Sequence, residues 1–167
     1  AILKYLHKFS PPLIHRDIKP SNIIFVPPDT IYLIDFGAVR DKLLNLEQGG
    51  STIIGTFGYM PMEQYEGRAV PGTDIYSLGV TLINLLSLKD PADMEKKHLR
   101  IDYQPHLSIS KGLSTIIDKM IEPDYKDRFQ SAKQLHRVLR NYSTGKKVKT
   151  TARENESVKK SRKVPIG

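Results

Sequence analysis

The sequence predicts a mainly α-helical domain with one small β-hairpin and a basic, disordered tail. Three observations lead there. Residues 73–87 place seven aliphatic side chains round every side of a helix, the pattern of a central buried helix. Segments 113–121 and 131–139 repeat apolar residues at helical spacing, as amphipathic helices packed around it would. Residues 23–26 and 31–34 are β-branched runs separated by Pro27-Pro28-Asp29-Thr30, a strand–turn–strand signal.

The remaining segments follow in order. Ile2, Leu3 and Leu6 share one helical face, so the chain opens on what reads as the last turns of a helix. Ser10-Pro11-Pro12 ends it. From Gly37 to Gly72 the chain is punctuated by glycine and keeps no period, which predicts a long ordered loop. Residues 1–142 are therefore expected to form one folded domain, and 143–167 a tail or linker. The first residue is Ala1 rather than Met, and with the cut helix this leads to the expectation of a piece of a longer chain.

Composition excludes several classes. With 167 residues, 39% hydrophobic and 26% charged, the chain is not collagen-like, low-complexity or wholly disordered. It has no cysteine, which removes disulfides, Cys-ligated zinc and thiol catalysis and suits a reducing compartment. The longest apolar run, 78–86, is interrupted by Thr81 and Asn84 and is under half a membrane span. No basic start followed by an apolar stretch marks a signal peptide. A cytoplasmic location is expected, with any membrane anchor lying beyond residue 167.

The formal charge of +8 suggests nucleic acid until it is mapped. Eight of 26 basic and two of 18 acidic side chains fall in residues 145–167, so the tail carries +6 and the body only +2. The tail holds no aromatic residue to stack on a base. Nucleic acid is not expected as a partner.

The chemistry concentrates in His15-Arg16-Asp17-Ile18-Lys19-Pro20-Ser21-Asn22 and, after the hairpin, Asp35-Phe36-Gly37. Taken singly, Asp17, Asn22 and Asp35 would be turn or loop residues. Together and in this order they resemble the protein-kinase catalytic loop and metal-binding triplet. The likeness continues through Gly55-Thr56-Phe57-Gly58-Tyr59-Met60-Pro61-Met62-Glu63, Asp74-Ile75-Tyr76-Ser77-Leu78-Gly79-Val80 and Asp127-Arg128-Phe129. The chain is thus similar to eukaryotic-like (Hanks-type) serine/threonine protein kinases of the prokaryotic branch, with Lys19 as the serine/threonine choice.

That resemblance implies a kinase C-terminal lobe, ATP and Mg²⁺ as cofactors, and protein substrates bearing Ser or Thr. Phosphoryl transfer needs positioning and charge neutralisation more than covalent chemistry. Asp17 would accept or orient the proton of the substrate hydroxyl, and Lys19 would offset phosphate charge. Asn22 and Asp35 supply hard oxygen ligands of the kind Mg²⁺ prefers. By the same likeness Ile24 and Ile34 floor the adenine, His15 and Phe36 shape the loop, and Asp74 accepts hydrogen bonds from its backbone. An alternative for Asp74 is a charge favoured by the helix dipole. Glu63 and Arg128 resemble the family's buried ion pair, and Thr56 its contact to Asp17 and Lys19. Met62 and Pro61 depart from the family pattern at the end of that motif.

Arg16 and Arg40 would meet a regulatory phosphate on Thr52, with Ser51 as the adjacent alternative. Their other reading is as solvated or locally paired charges. His7, His98, His106 and His136 lack metal-ligand spacing, so packing or surface roles are expected. No Gly-x-Gly-x-x-Gly precedes His15. The resemblance therefore covers the C-terminal lobe and implies a partner, the N-terminal lobe of the same chain. Its rival is a free-standing, catalytically inactive lobe with a regulatory or scaffolding role.

Overall fold

The structure, a computed structural model, describes residues 1–36 and 55–145. Helix α1 (Ile2–Leu6) is followed by an irregular segment, a 3₁₀ turn at Pro20–Asn22 and the antiparallel strands β1 (Ile23–Val26) and β2 (Thr30–Leu33). Then come α2 (Met62–Tyr65), α3 (Pro71–Ser87), the two-residue strands β3 (Lys96–Lys97) and β4 (Arg100–Ile101), α4 (Lys111–Met120) and α5 (Ala132–Ser143). Among the described residues the molecule is mainly helical with two separate hairpins.

Each long helix starts on a recognisable device. Pro71 sits in the first turn of α3, where its missing N–H costs nothing. Ser110 accepts from Leu113 N at 3.3 Å and Ser131 from Gln134 N at 3.1 Å, so side-chain oxygens satisfy the free amides that open α4 and α5. Helix α3 stops where Leu88 takes the left-handed conformation, φ 58°.

The core gathers on α3. Ile75, Val80 and Ile83 are fully buried against Ile117, Met120 and Ile121, with Phe129 and Leu135 closing the far side. Close approach depends on Gly79. A Cβ there would stand 2.8 Å from Ile121 Cγ2 and 2.9 Å from Met120 Cβ.

Three expectations change. Helix α3 is not apolar all round: Thr73, Asp74, Ser77 and Thr81 are buried, whereas Leu85 and Leu86 are half exposed. Buried loop backbone beside the helix needs hydrogen-bond partners that aliphatic side chains cannot offer. Strand β2 begins at Thr30, which pairs with Val26, and ends before Ile34. The Ile34 amide leaves the ladder and donates to Asn22 O at 2.9 Å. The described part of the 37–72 segment also contains a helix, α2, too short to carry a period. Among the described residues no helix is long and apolar enough to cross a membrane.

Candidate active site

The segment between α1 and β1 has almost no regular structure, so side chains from elsewhere hold it. Asp74, in the first turn of α3 and fully buried, accepts from His15 N at 3.0 Å and Arg16 N at 2.9 Å. His7 Nε2 reaches the same carboxylate at 2.9 Å. Thr81, two turns further along α3, donates to Ile18 O at 3.2 Å. Gln64 of α2 donates to Arg16 O at 2.6 Å. These contacts fix the backbone on both sides of Asp17, including Arg16 in its left-handed conformation at φ 71°. Burial lowers the Arg16 pKa, and the opposing Asp74 charge offsets only part of this.

His15 is fully buried. Asp17 N donates to His15 Nδ1 at 3.4 Å, so the neutral ring carries its proton on Nε2 and donates it to Ile34 O at 3.1 Å. The Phe36 ring packs edge-on, with centroids 4.8 Å apart. Through this one imidazole the Asp17 loop and the segment after β2 share a register.

Three donors converge on the Asp17 carboxylate. Thr56 Oγ1 donates to Oδ1 at 2.7 Å, Lys19 Nζ lies 2.9 Å from Oδ2, and Asn22 Nδ2 donates to Oδ2 at 3.0 Å. Lys19 Nζ also donates to Thr56 Oγ1 at 2.6 Å, closing a triangle. Partial burial pushes the Asp17 pKa up. The hydrogen bonds from Thr56 and Lys19, the Lys19 charge and the Asn22 bond outweigh it and hold the carboxyl below its ordinary value. The side chain keeps 15% of its surface exposed, so an anionic acceptor stays open to an incoming group.

Asn22 and Asp35 are brought to the same end of the hairpin by the Ile34–Asn22 bond. Asn22 spends its amide protons on Asp17 O and Oδ2, and this orientation leaves its carbonyl oxygen, with two lone pairs, as the atom that could ligate a cation. Asp35 adopts φ 62°. Two oxygen-bearing side chains suit a divalent ion that takes its other ligands from phosphate and water. Among the described residues there is no cluster of three or more His, Cys, Asp or Glu able to cage a metal without such help. Ile24 pairs with Tyr32 in the hairpin, and Ile34 directly follows β2. Ile24 and Ile34 are 44% and 39% exposed, so both leave apolar surface open to solvent.

Glu63, at the start of α2, is anchored from below. Arg128 Nη1 and Nη2 meet its two oxygens at 2.6 and 3.2 Å, and Thr73 donates to Oε1 at 2.9 Å. Arg40, Ser51 and Thr52 lie outside the described residues. The sequence reading did not single out Gln64, Thr73, Ser77 and Thr81 as site supports. The signal was present: Thr73, Ser77 and Thr81 recur every four residues along a helix otherwise rich in aliphatics.

Comparisons with known proteins identify what the chain is similar to. The profile of the protein kinase domain matches residues 1–139. Serine/threonine-protein kinase D of Synechocystis sp. is 42% identical over 146 residues, covering 82% of this chain and 28% of that protein. Serine/threonine-protein kinase PknA of Nostoc sp. is 42% identical over 147 residues, covering 83% of this chain and 26% of that protein. The solved structure described as the PpkA-294 apo form superposes with a TM-score of 0.59 at 26% identity, over 83% of this chain and 50% of that one. The chain therefore spans about a quarter of the length of these curated relatives. With a loop held by Asp74 and a carboxylate ringed by Lys19, Asn22 and Thr56, the domain match over residues 1–139 leads to one assignment: the chain belongs to the protein kinase domain family.

Proposed function

We propose that this chain is the C-terminal-lobe part of an ATP-dependent kinase that phosphorylates Ser or Thr on protein substrates. The observation that carries the reading is the partly exposed Asp17 carboxylate, whose charged form is favoured by Thr56, Lys19 and Asn22. A substrate hydroxyl presented to Asp17 finds an acceptor for its proton, aligned by groups that need no rearrangement. Lys19, one hydrogen bond away, offers a positive charge to the phosphoryl group in transit. Bound Mg²⁺–ATP supplies the phosphoryl group and neutralises its charge. The Asn22 carbonyl oxygen and the Asp35 carboxylate would hold the ion, and Ile24 and Ile34 the adenine face.

The exposed hairpin supports a partner on that side. Ile24, Phe25, Val26, Ile31 and Tyr32 are 44–59% exposed, more apolar surface than a short ribbon ordinarily leaves in water. An N-terminal lobe of the same protein is the proposed cover. A scaffolding lobe without catalysis would require none of Asp17, Lys19, Asn22 and Asp35. Arg16, with Arg40, is proposed to meet a phosphate on Thr52 or Ser51.

The roles separate in a chain completed by an N-terminal lobe. Asp17→Ala is expected to cut phosphoryl transfer at least about 100-fold while Mg²⁺–ATP affinity stays near wild type. Asp35→Ala is expected to abolish the Mg²⁺ dependence of nucleotide binding. Equal losses of ATP affinity in both variants, read by isothermal calorimetry, would overturn the assignment.

A further inference from the structure

Every charged side chain of helix α5 is basic. Its buried side, Ala132 and Leu135 with Val138 and Leu139, packs on the core. On the other side Lys133, Arg137 and Arg140 recur at helical spacing and are exposed, with His136 beside them. Together with Lys4 of α1 they line a groove of about 650 Å³, open to solvent, and among the described residues its lining contains no acidic side chain. None of these cations makes an ion pair among the described residues.

Helix stability does not account for the pattern. Lys133 lies in the first turn of α5, which has no acidic side chain, and so opposes the helix dipole. Lys133 and Arg137 stand four residues apart, where like charges repel. A solvated helix face ordinarily mixes signs. A row of unneutralised cations in a concavity is instead complementary to an anion.

The shape selects among anions. Lys133 to Arg140 spans about 10 Å of helix, the reach of three residues of extended peptide. Gln134 and Asn141 add amide groups inside the groove. Among the described residues no aromatic side chain lines it for base stacking, and no large apolar side chain lines it to enter a bilayer. We propose that this groove, between α5 and α1, docks a phosphorylated acidic segment of a protein partner, with the Arg137 and Arg140 guanidinium forks on the phosphate. The site shares no residue with the Asp17 centre, so its failure leaves the kinase reading untouched.

Fluorescence polarisation with the full 167-residue chain tests this. The probe is a short fluorescein-labelled peptide with a phosphoserine flanked by glutamates. Saturable binding is expected, weakened at least about ten-fold by removing the phosphate or by the double change Arg137→Glu, Arg140→Glu. The milder Arg137→Gln, Arg140→Gln pair should also weaken it, with helical circular dichroism unchanged. Lys146→Ser with Lys147→Ser should leave affinity within about two-fold. Absence of saturable binding, or binding indifferent to both arginine pairs, would overturn the proposal. So would tighter arginine-dependent binding to poly(U) RNA or to phosphatidylserine vesicles than to the phosphopeptide.

Discussion

Glu63 and Arg128, sixty-five residues apart in sequence, form a two-pronged ion pair in which Arg128 is 2% and Glu63 4% exposed. Arg128 spends its other protons on Glu122 O, Pro123 O and Gly72 O, and its guanidinium lies 4.8 Å from the Tyr76 ring centroid. Thr73 supplies a further proton to Glu63. The pair ties the start of α2 to the start of α3 and to the loop before α5. It is a buried charge pair with nearly every polar atom engaged, the arrangement that is costly to break from one side.

Removing both partners should therefore cost less than the sum of removing each alone. Glu63→Ala and Arg128→Ala are each expected to destabilise the domain by about 3–5 kcal/mol. The double variant should lose clearly less than their sum, because neither charge is then left buried alone. Urea unfolding of the three variants measures this, and additive losses would show that the two residues act independently.

Gly79 and Gly72 lie on the same helix and should respond oppositely. Gly79→Ala forces a methyl to 2.8 Å from Ile121 and 2.9 Å from Met120, and a loss of about 1–3 kcal/mol is expected from overpacking. At Gly72 the nearest atom would be Tyr125 Cβ at 3.5 Å, an ordinary contact. Gly72→Ala should be neutral or stabilise by up to about 1 kcal/mol through reduced freedom of the unfolded chain. Thermal unfolding of both variants checks the contrast, and equal shifts would refute the packing account.

The Asp17 carboxyl should titrate below its ordinary value of 3.8. A lowered folded-state pKa contributes stability that is complete above the ordinary carboxylate range and is lost as pH falls through the folded value. The stability difference between wild type and Asp17→Asn should accordingly be flat near neutrality and change only in acid. Thr56→Val removes a leading donor and should move the Asp17 titration upward, seen by carboxyl ¹³C NMR. An unmoved midpoint would mean that Thr56 does not hold the charge.

Much of the site could be read from residue order. The octet from His15 to Asn22 and the triplet opening at Asp35 identify their chemistry because residue types and short spacings survive in one dimension. The same holds for α4 and α5, whose apolar stripes and serine caps are local signals. Tertiary structure decided what meets across long separations. Asp74 holding His15 and Arg16, Thr81 holding Ile18, and Gln64 holding Arg16 are pairings of 48 residues or more. The four-residue recurrence of Thr73, Ser77 and Thr81 does not name the groups they meet, and the partners of Asp74 were expected only from the family resemblance. Aliphatic patterning made α3 look uniformly apolar because hydropathy counts how much surface is buried, whereas Thr73, Asp74, Ser77 and Thr81 are buried by the backbone groups they satisfy. That second quantity exists only once the chain is folded, since an unfolded loop takes its hydrogen bonds from water and a buried one must find them in its neighbours.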